Sequence, residues 1–259
     1  MFQNKMVTPA IPERVYTLCK IVEKKAMSSS EIKEKMEPAY LNQSTSYFGD
    51  YRTAAEELQL ISNTDNVISL VVDPNVIKDM DSMRYYINGQ LDRFRNGQFY
   101  KVTSAYFSLG DEVLHGEQNV ANMDSTMTKA TGIPVDSMAM RAWRFWVAYL
   151  GFGYLQDMFF IPNACVFLQD IIKRSSLEKK YNYPIGEFLN KLKPYSDIII
   201  DSTKEGKSFN YGVSNGLRTL QDVGFIKMEY IMDQKDSWNL YHIDALSSVE
   251  KVTNVTLLK

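Results

Sequence analysis

Tyr47-Phe48-Gly49-Asp50-Tyr51-Arg52-Thr53-Ala54-Ala55-Glu56-Glu57-Leu58-Gln59-Leu60-Ile61, followed by Asn63-Thr64-Asp65-Asn66 and Val67-Ile68-Ser69-Leu70-Val71, is the stretch on which the fold turns. Phe48, Tyr51, Ala55 and Leu58 recur at the spacing of one face of an α-helix. The Asn/Asp-rich tetrapeptide reads as a turn, and the apolar alternation after it reads as a strand. Ser44-Thr45-Ser46 precedes the helix with residues suited to capping it. The pattern of amphipathic helix, tight stop and two-strand ribbon returns near the other end of the chain. There Asn210 to Asp222 gives the helix, Gly224 the stop, Phe225 to Met232 the first strand, Asp233-Gln234-Lys235-Asp236 the turn and Trp238 to Ile243 the second strand.

Working outward from the first copy, Pro12 suits the first turn of a helix, and Val15, Leu18, Cys19 and Val22 share one face of it. Ser28 and Glu31 stand three apart, the spacing at which each side chain satisfies the other's free backbone N–H, so a helix is expected over Ser29 to Met36. Three helices and a ribbon between about residues 10 and 72 are the ingredients of a winged-helix unit. In the second copy Val213, Leu217, Leu220 and Val223 mark the buried face, and Ile226, Met228, Tyr230 and Met232 are expected to face inward from the strand. Asp244 to Lys259 reads as a tail or a last strand.

Asp73-Pro74 marks a boundary, because proline cannot continue a ladder and holds its predecessor extended. From there to about residue 193 the reading is helical. The run Met140-Arg141-Ala142-Trp143-Arg144-Phe145-Trp146-Val147-Ala148-Tyr149-Leu150 is apolar nearly all round, which predicts a buried central helix ended by Gly151 and Gly153. Pro162-Asn163-Ala164 then opens another. The expected fold is mainly α with small β wings: two winged-helix domains, 1–73 and 194–259, flanking a helical middle domain, 74–193.

The chain has 259 residues, 45% of them hydrophobic and 23% charged, enough for a substantial core. A formal net charge of -2 gives no overall pull towards phosphate, so contact with nucleic acid depends on a local patch. No signal peptide and no membrane span are expected. Cys19 and Cys165 lie in apolar helical patterns and read as buried thiols of a reducing, cytoplasmic setting.

Catalytic patterns are scarce. His115 and His242 are the only histidines, too few for a multi-histidine metal site, and there is no P-loop or Gly-x-Ser-x-Gly pattern. Asp197 with Glu205-Gly206-Lys207 has the order of a metal-dependent nuclease, but its surroundings are polar and loop-like. No enzyme activity, no cofactor and no metal are therefore expected. Trp143, Trp146 and Phe152 read as core rather than as a base-stacking platform.

In a winged helix, the third helix reads the major groove and the wing touches phosphate. The candidate DNA-binding residues are Lys33, Lys35, Ser46, Tyr47 and Arg52 in the first unit, with Ser44 and Thr45 beside them. In the second they are Asn210, Ser214, Asn215, Arg218 and Lys235. Both units are slightly acid-rich, so a protein partner fits at least as well.

The order of units, with the aromatic run ending in Tyr149-Leu150-Gly151-Phe152-Gly153, resembles the DpdG proteins, accessory proteins of bacterial clusters that install deazaguanine bases in DNA and discriminate against foreign DNA. The resemblance implies a non-catalytic subunit of a phage-defence or DNA-modification system and brings no catalytic residues with it. Architecture and acidic charge are also similar to the tandem winged-helix subunits that bind the kleisin linkers of SMC-type complexes; a transcription regulator is the remaining alternative. The expected partners are double-stranded DNA, a larger ATPase or nuclease subunit of the same system, and a second copy of the chain.

Overall fold

The computed structural model describes residues 2–3, 5–41, 46–115, 119–200, 206–242 and 250–259. Ser44, Thr45 and Glu205 of the expectations above lie outside them. The chain is mainly α-helical with small antiparallel sheets. Pro12 opens α1 (Pro12–Val22), whose Val15, Leu18, Cys19 and Val22 are buried. The short strand β1 (Met27–Ser28) leads into α2 (Ser29–Met36) through the expected reciprocal cap: Glu31 N–H donates to Ser28 Oγ (3.3 Å) and Ser28 N–H to Glu31 Oε2 (3.0 Å). Next come α3 (Phe48–Glu57), β2 (Ile61–Thr64) and β3 (Val67–Leu70), and β3 lies between β1 and β2 in the sheet.

Beyond Pro74, α4 (Met80–Asn88), α5 (Gln98–Ser108), α6 (Glu112–His115) and α7 (Asp124–Thr131) lead to α8 (Ser137–Tyr149). The interior here is aromatic. Trp143 and Trp146 are fully buried, and each indole N–H has an acceptor, Thr103 Oγ1 at 2.9 Å and the Ala10 carbonyl at 2.6 Å. The expectation of an all-helical middle is corrected by a hairpin, β4 (Gly153–Gln156) and β5 (Phe159–Pro162). Gly151, at φ +84°, turns the chain out of α8, and Asp157, at φ +54°, begins the two-residue loop between the strands.

The rest comprises α9 (Cys165–Arg174), β6 (Asn182–Pro184), α10 (Ile185–Ile200), α11 (Tyr211–Asp222), β7 (Ile226–Glu229), β8 (Trp238–Asn239), β9 (Lys251–Val252) and β10 (Asn254–Leu257). Two further expectations are corrected. The boundary placed at 193/194 falls within α10, and β6, from the expected middle domain, pairs with β10. The partner of β7 is also β10, while Trp238–Asn239 of the segment expected to pair with it lies against β9; Val255 and Leu257 bring the buried alternation that matches Met228 and Ile226. The ladder stops at Glu229, so Tyr230 and Met232 are exposed rather than inward; Val223, just past α11, is exposed too.

The same local geometry ends three helices. After α3, α8 and α11 the second residue has positive φ (Gln59 +56°, Gly151 +84°, Gly224 +64°), the third is buried (Leu60, Phe152, Phe225), and a strand starts at the fourth. The closing hydrogen bonds also match: Leu60 N–H to Ala55 O, Phe152 N–H to Val147 O and Phe225 N–H to Leu220 O. Between the first two copies the match extends much further, at a constant separation of 92 residues. The buried Phe48, Tyr51, Ala54, Ala55, Leu58 and Leu60 correspond to the buried Met140, Trp143, Trp146, Val147, Leu150 and Phe152. Both hairpins have four paired positions and a two-residue loop, Asp65-Asn66 in one and Asp157-Met158 in the other. In each, a backbone N–H from the segment entering the preceding helix caps the loop, Ser29 to Asn66 O and Val120 to Met158 O. The C-terminal copy shares its sheet order with the first, since β10 sits between β6 and β7 as β3 sits between β1 and β2.

Candidate recognition surfaces

A helix that recognises another molecule must show it a face, and the three equivalent helices differ in what they show. On α3 the outward positions Gly49 and Thr53 are exposed, with Asp50, Arg52, Glu56 and Glu57 half-buried. Lys33 and Lys35 are exposed on α2. Ser46 and Tyr47 are exposed as well, but both are held by Glu37, which accepts from Ser46 Oγ (2.9 Å), the Tyr47 N–H (3.1 Å) and Tyr51 Oη (3.2 Å). Burial and the Glu37 charge raise the Asp50 carboxyl above its ordinary value. Arg52 Nε lies 3.6 Å from Glu56 Oε1, and its guanidinium sits over the Phe48 ring. The start of α3 is therefore mixed in charge, Glu37 and Asp50 standing beside Arg14, whose guanidinium lies over the Tyr47 and Tyr51 rings, whereas a phosphate-approaching helix benefits from net positive charge. Tyr40 and Leu41, strongly exposed, lie in the α2–α3 connection.

The α11 candidates are placed inside. Asn210 caps the helix, accepting from the Val213 N–H (2.9 Å) and donating to Ile199 O (2.7 Å). Ser214 is fully buried, and its Oγ accepts from the Tyr241 N–H (2.8 Å). Arg218 is 8% exposed and donates to Tyr241 O (2.7 Å); burial lowers its pKa. Half-buried Asn215 donates to Pro162 O (3.3 Å). Only Lys235 of this group is exposed. The reason is that α11 lies against β5 and α9, where Gly212 and Gly216 allow close approach to Phe107, Pro162 and Ala164. The polar residues taken for a reading face instead satisfy the backbone of neighbouring segments. As a correction, then, Asn210, Ser214 and Arg218 are buried and Asn215 is half-buried among the described residues, rather than forming the outward face expected of them.

Sequence reasoning missed one polar centre altogether. Asp170, buried in α9, accepts from Arg84 Nε (2.9 Å) and Asn88 Nδ2 (2.9 Å), and Asn88 also donates to Leu150 O (3.0 Å). Arg174 donates to Tyr85 O (2.7 Å) and lies over the Tyr85 ring. These groups tie α4 to α9 beside a cleft of about 710 Å³. A single aspartate inside an otherwise apolar helical pattern was the only signal of it.

The groups considered for chemistry are dispersed. Asp197 is held by Arg95, and Lys207 by Asp236 (2.8 Å). His242 Nδ1 faces Glu250 Oε1 at 3.0 Å. Burial pushes the Cys19 thiol up to about 12, and half-buried Cys165 is raised too. Among the described residues no group of three or more His, Cys, Asp or Glu stands where it could hold a metal ion, and no helix is long and apolar enough to cross a membrane. No family model, no curated protein and no solved structure matches the chain.

Proposed function

We propose that this chain is a non-enzymatic recognition or adaptor subunit built from winged-helix units, serving a bacterial DNA-modification or phage-defence system. The observation that carries the reading is the recurrence of one device. In the first and last units three helices stand on a three-stranded sheet in which the last strand lies between the other two. Such units work by presenting a helix and a hairpin to another macromolecule. With α11 sealed, α3 is the terminal unit's free face, and its chemistry favours a protein. Asp50, Glu56 and Glu57 lie along α3, Tyr47 is exposed at its start, and Tyr40 and Leu41 are exposed apolar residues after α2. A larger ATPase or nuclease subunit with a basic, apolar-centred patch fits it, and so does the kleisin-binding alternative.

The test is affinity capture of the tagged chain from its native host under nuclease treatment, compared with a Leu41→Ala/Tyr47→Ala variant. A stoichiometric protein partner lost in the variant supports the reading. A chain recovered alone, at monomer mass and without affinity for duplex DNA, overturns it.

A further inference from the structure

The correspondence between α3 and α8 pairs Arg52 with Arg144 and Glu56 with Ala148. The carboxylate that faces the arginine in α3 is a methyl group in α8, and α8 carries no acidic residue along its length. Arg141 is exposed one turn earlier on the same helix. Arg144 is half-buried beside the hairpin loop: Nη1 donates to the Asp157 carbonyl (3.2 Å), the guanidinium covers the Phe145 ring, and its Nε has no partner. Burial and the neighbouring Arg141 charge both disfavour the charged form of Arg144. The acidic groups nearby are Asp136, occupied by Lys5 Nζ (2.6 Å) and the Ala139 N–H (2.8 Å), and Asp157 in the loop. On the hairpin, Tyr154 and Gln156 are exposed on one side of β4.

We propose that the outward face of α8, centred on Arg141 and Arg144, together with the β4–β5 hairpin, is the surface on which this protein docks duplex DNA. The proposal rests on the winged-helix recognition reading and assigns it to the unit between the two ends. Three arguments favour a duplex. The two guanidiniums share their helix with no carboxylate, Asp157 of the hairpin loop being the acidic group beside them, and the phosphate backbone supplies anions in a row for them to meet. A helix with an adjoining hairpin has the shape that occupies a major groove while touching the flanking strand. Of the three equivalent helices, α3 presents carboxylates and α11 is sealed, so α8 alone offers an outward cationic face.

The experiment is fluorescence anisotropy with a labelled duplex of about two helical turns over a salt series, using the full chain and its Arg141→Ala and Arg144→Lys variants. Arg141→Ala is expected to leave the melting temperature unchanged, to weaken binding about tenfold at low salt and to reduce the salt slope by about one. Arg144→Lys keeps the charge, so its affinity should fall by less. Duplex binding that Arg141→Ala leaves intact overturns the proposal while the recognition reading stands. No duplex binding at low salt, with a protein partner lost on Arg141→Ala, also overturns it and assigns this face to an acidic protein.

Discussion

Gly216 of α11 lies directly on Ala164: a Cβ at Gly216 would come 2.8 Å from the Ala164 carbonyl carbon and 2.8 Å from the Cys165 nitrogen. Both are backbone atoms, one in the link between the β4–β5 hairpin and α9 and the other in the first residue of α9. The contact explains why the third helix of the last unit is an internal strut while its counterpart α3 is free. Gly216→Ala should lower stability by about 1–3 kcal/mol through overpacking that rotamer changes cannot relieve. Urea unfolding measures it, and a loss near zero would show that α11 sits elsewhere.

Gln59 occupies the left-handed position that glycine fills at Gly151 and Gly224. A side chain costs about 1 kcal/mol in that conformation, and glycine does not bear this cost. Gln59→Gly is therefore expected to stabilise the protein by about 0.5–1 kcal/mol, despite losing the 3.1 Å hydrogen bond from Arg93 Nη1. The reverse change at the equivalent site, Gly151→Ala, should destabilise, because there a Cβ would also meet Val166 Cβ at 2.6 Å. Paired thermal melts decide whether the two sites are equivalent.

Asp170 neutralises Arg84 in a part-buried setting. Removing the carboxylate takes the buried partner from Arg84, which keeps Asp81, and one of two acceptors from the Asn88 amide, so Asp170→Ala should cost about 3 kcal/mol. Asp170→Asn keeps one acceptor oxygen and should cost less. Equal losses in denaturant titrations would mean that the side chain fills space rather than joins α4 to α9.

The Asp136 carboxyl is held below its ordinary value by its bond to Lys5 and by the Ala139 N–H at the start of α8. A carboxylate with a depressed folded-state pKa adds stability that is present above the unfolded value, near 4, and lost as the pH falls through the folded one. Acid unfolding should therefore be less steep in Asp136→Asn than in the parent between about pH 4 and pH 2. Superimposable acid transitions would show that the Asp136 carboxylate adds no pH-dependent stability.

Local rules were readable from sequence and long-range ones were not. The Ser28–Glu31 cap, Pro12 at the start of α1, the buried face of α3 and the Gly224 stop each depend on residues a few positions apart, and all appear as expected. The β4–β5 hairpin escaped because its loop is Asp157-Met158 rather than a glycine or asparagine pair, and because Phe159-Phe160-Ile161 reads as well as a buried helix. The pairing of β7 with β10 spans more than twenty intervening residues and leaves no local mark. The burial of Ser214 and Arg218 follows from where α11 docks, which two glycines permit but do not announce. Arg141 and Arg144 stand in a run that is apolar nearly all round, and that pattern reads as core and masks the outward positions they occupy.

The duplex-docking surface proposed on α8 and the β4–β5 hairpin, in a chain proposed to be non-enzymatic, requires that DNA be bound and left unchanged. The most direct measurement is anisotropy of an end-labelled duplex with the chain at low salt and again at physiological salt, followed by denaturing electrophoresis of the same samples with magnesium or manganese present. The expected result is binding that weakens steeply as salt rises and a duplex recovered at full length. A duplex that is never bound, or one cut in a metal-dependent way, would contradict it.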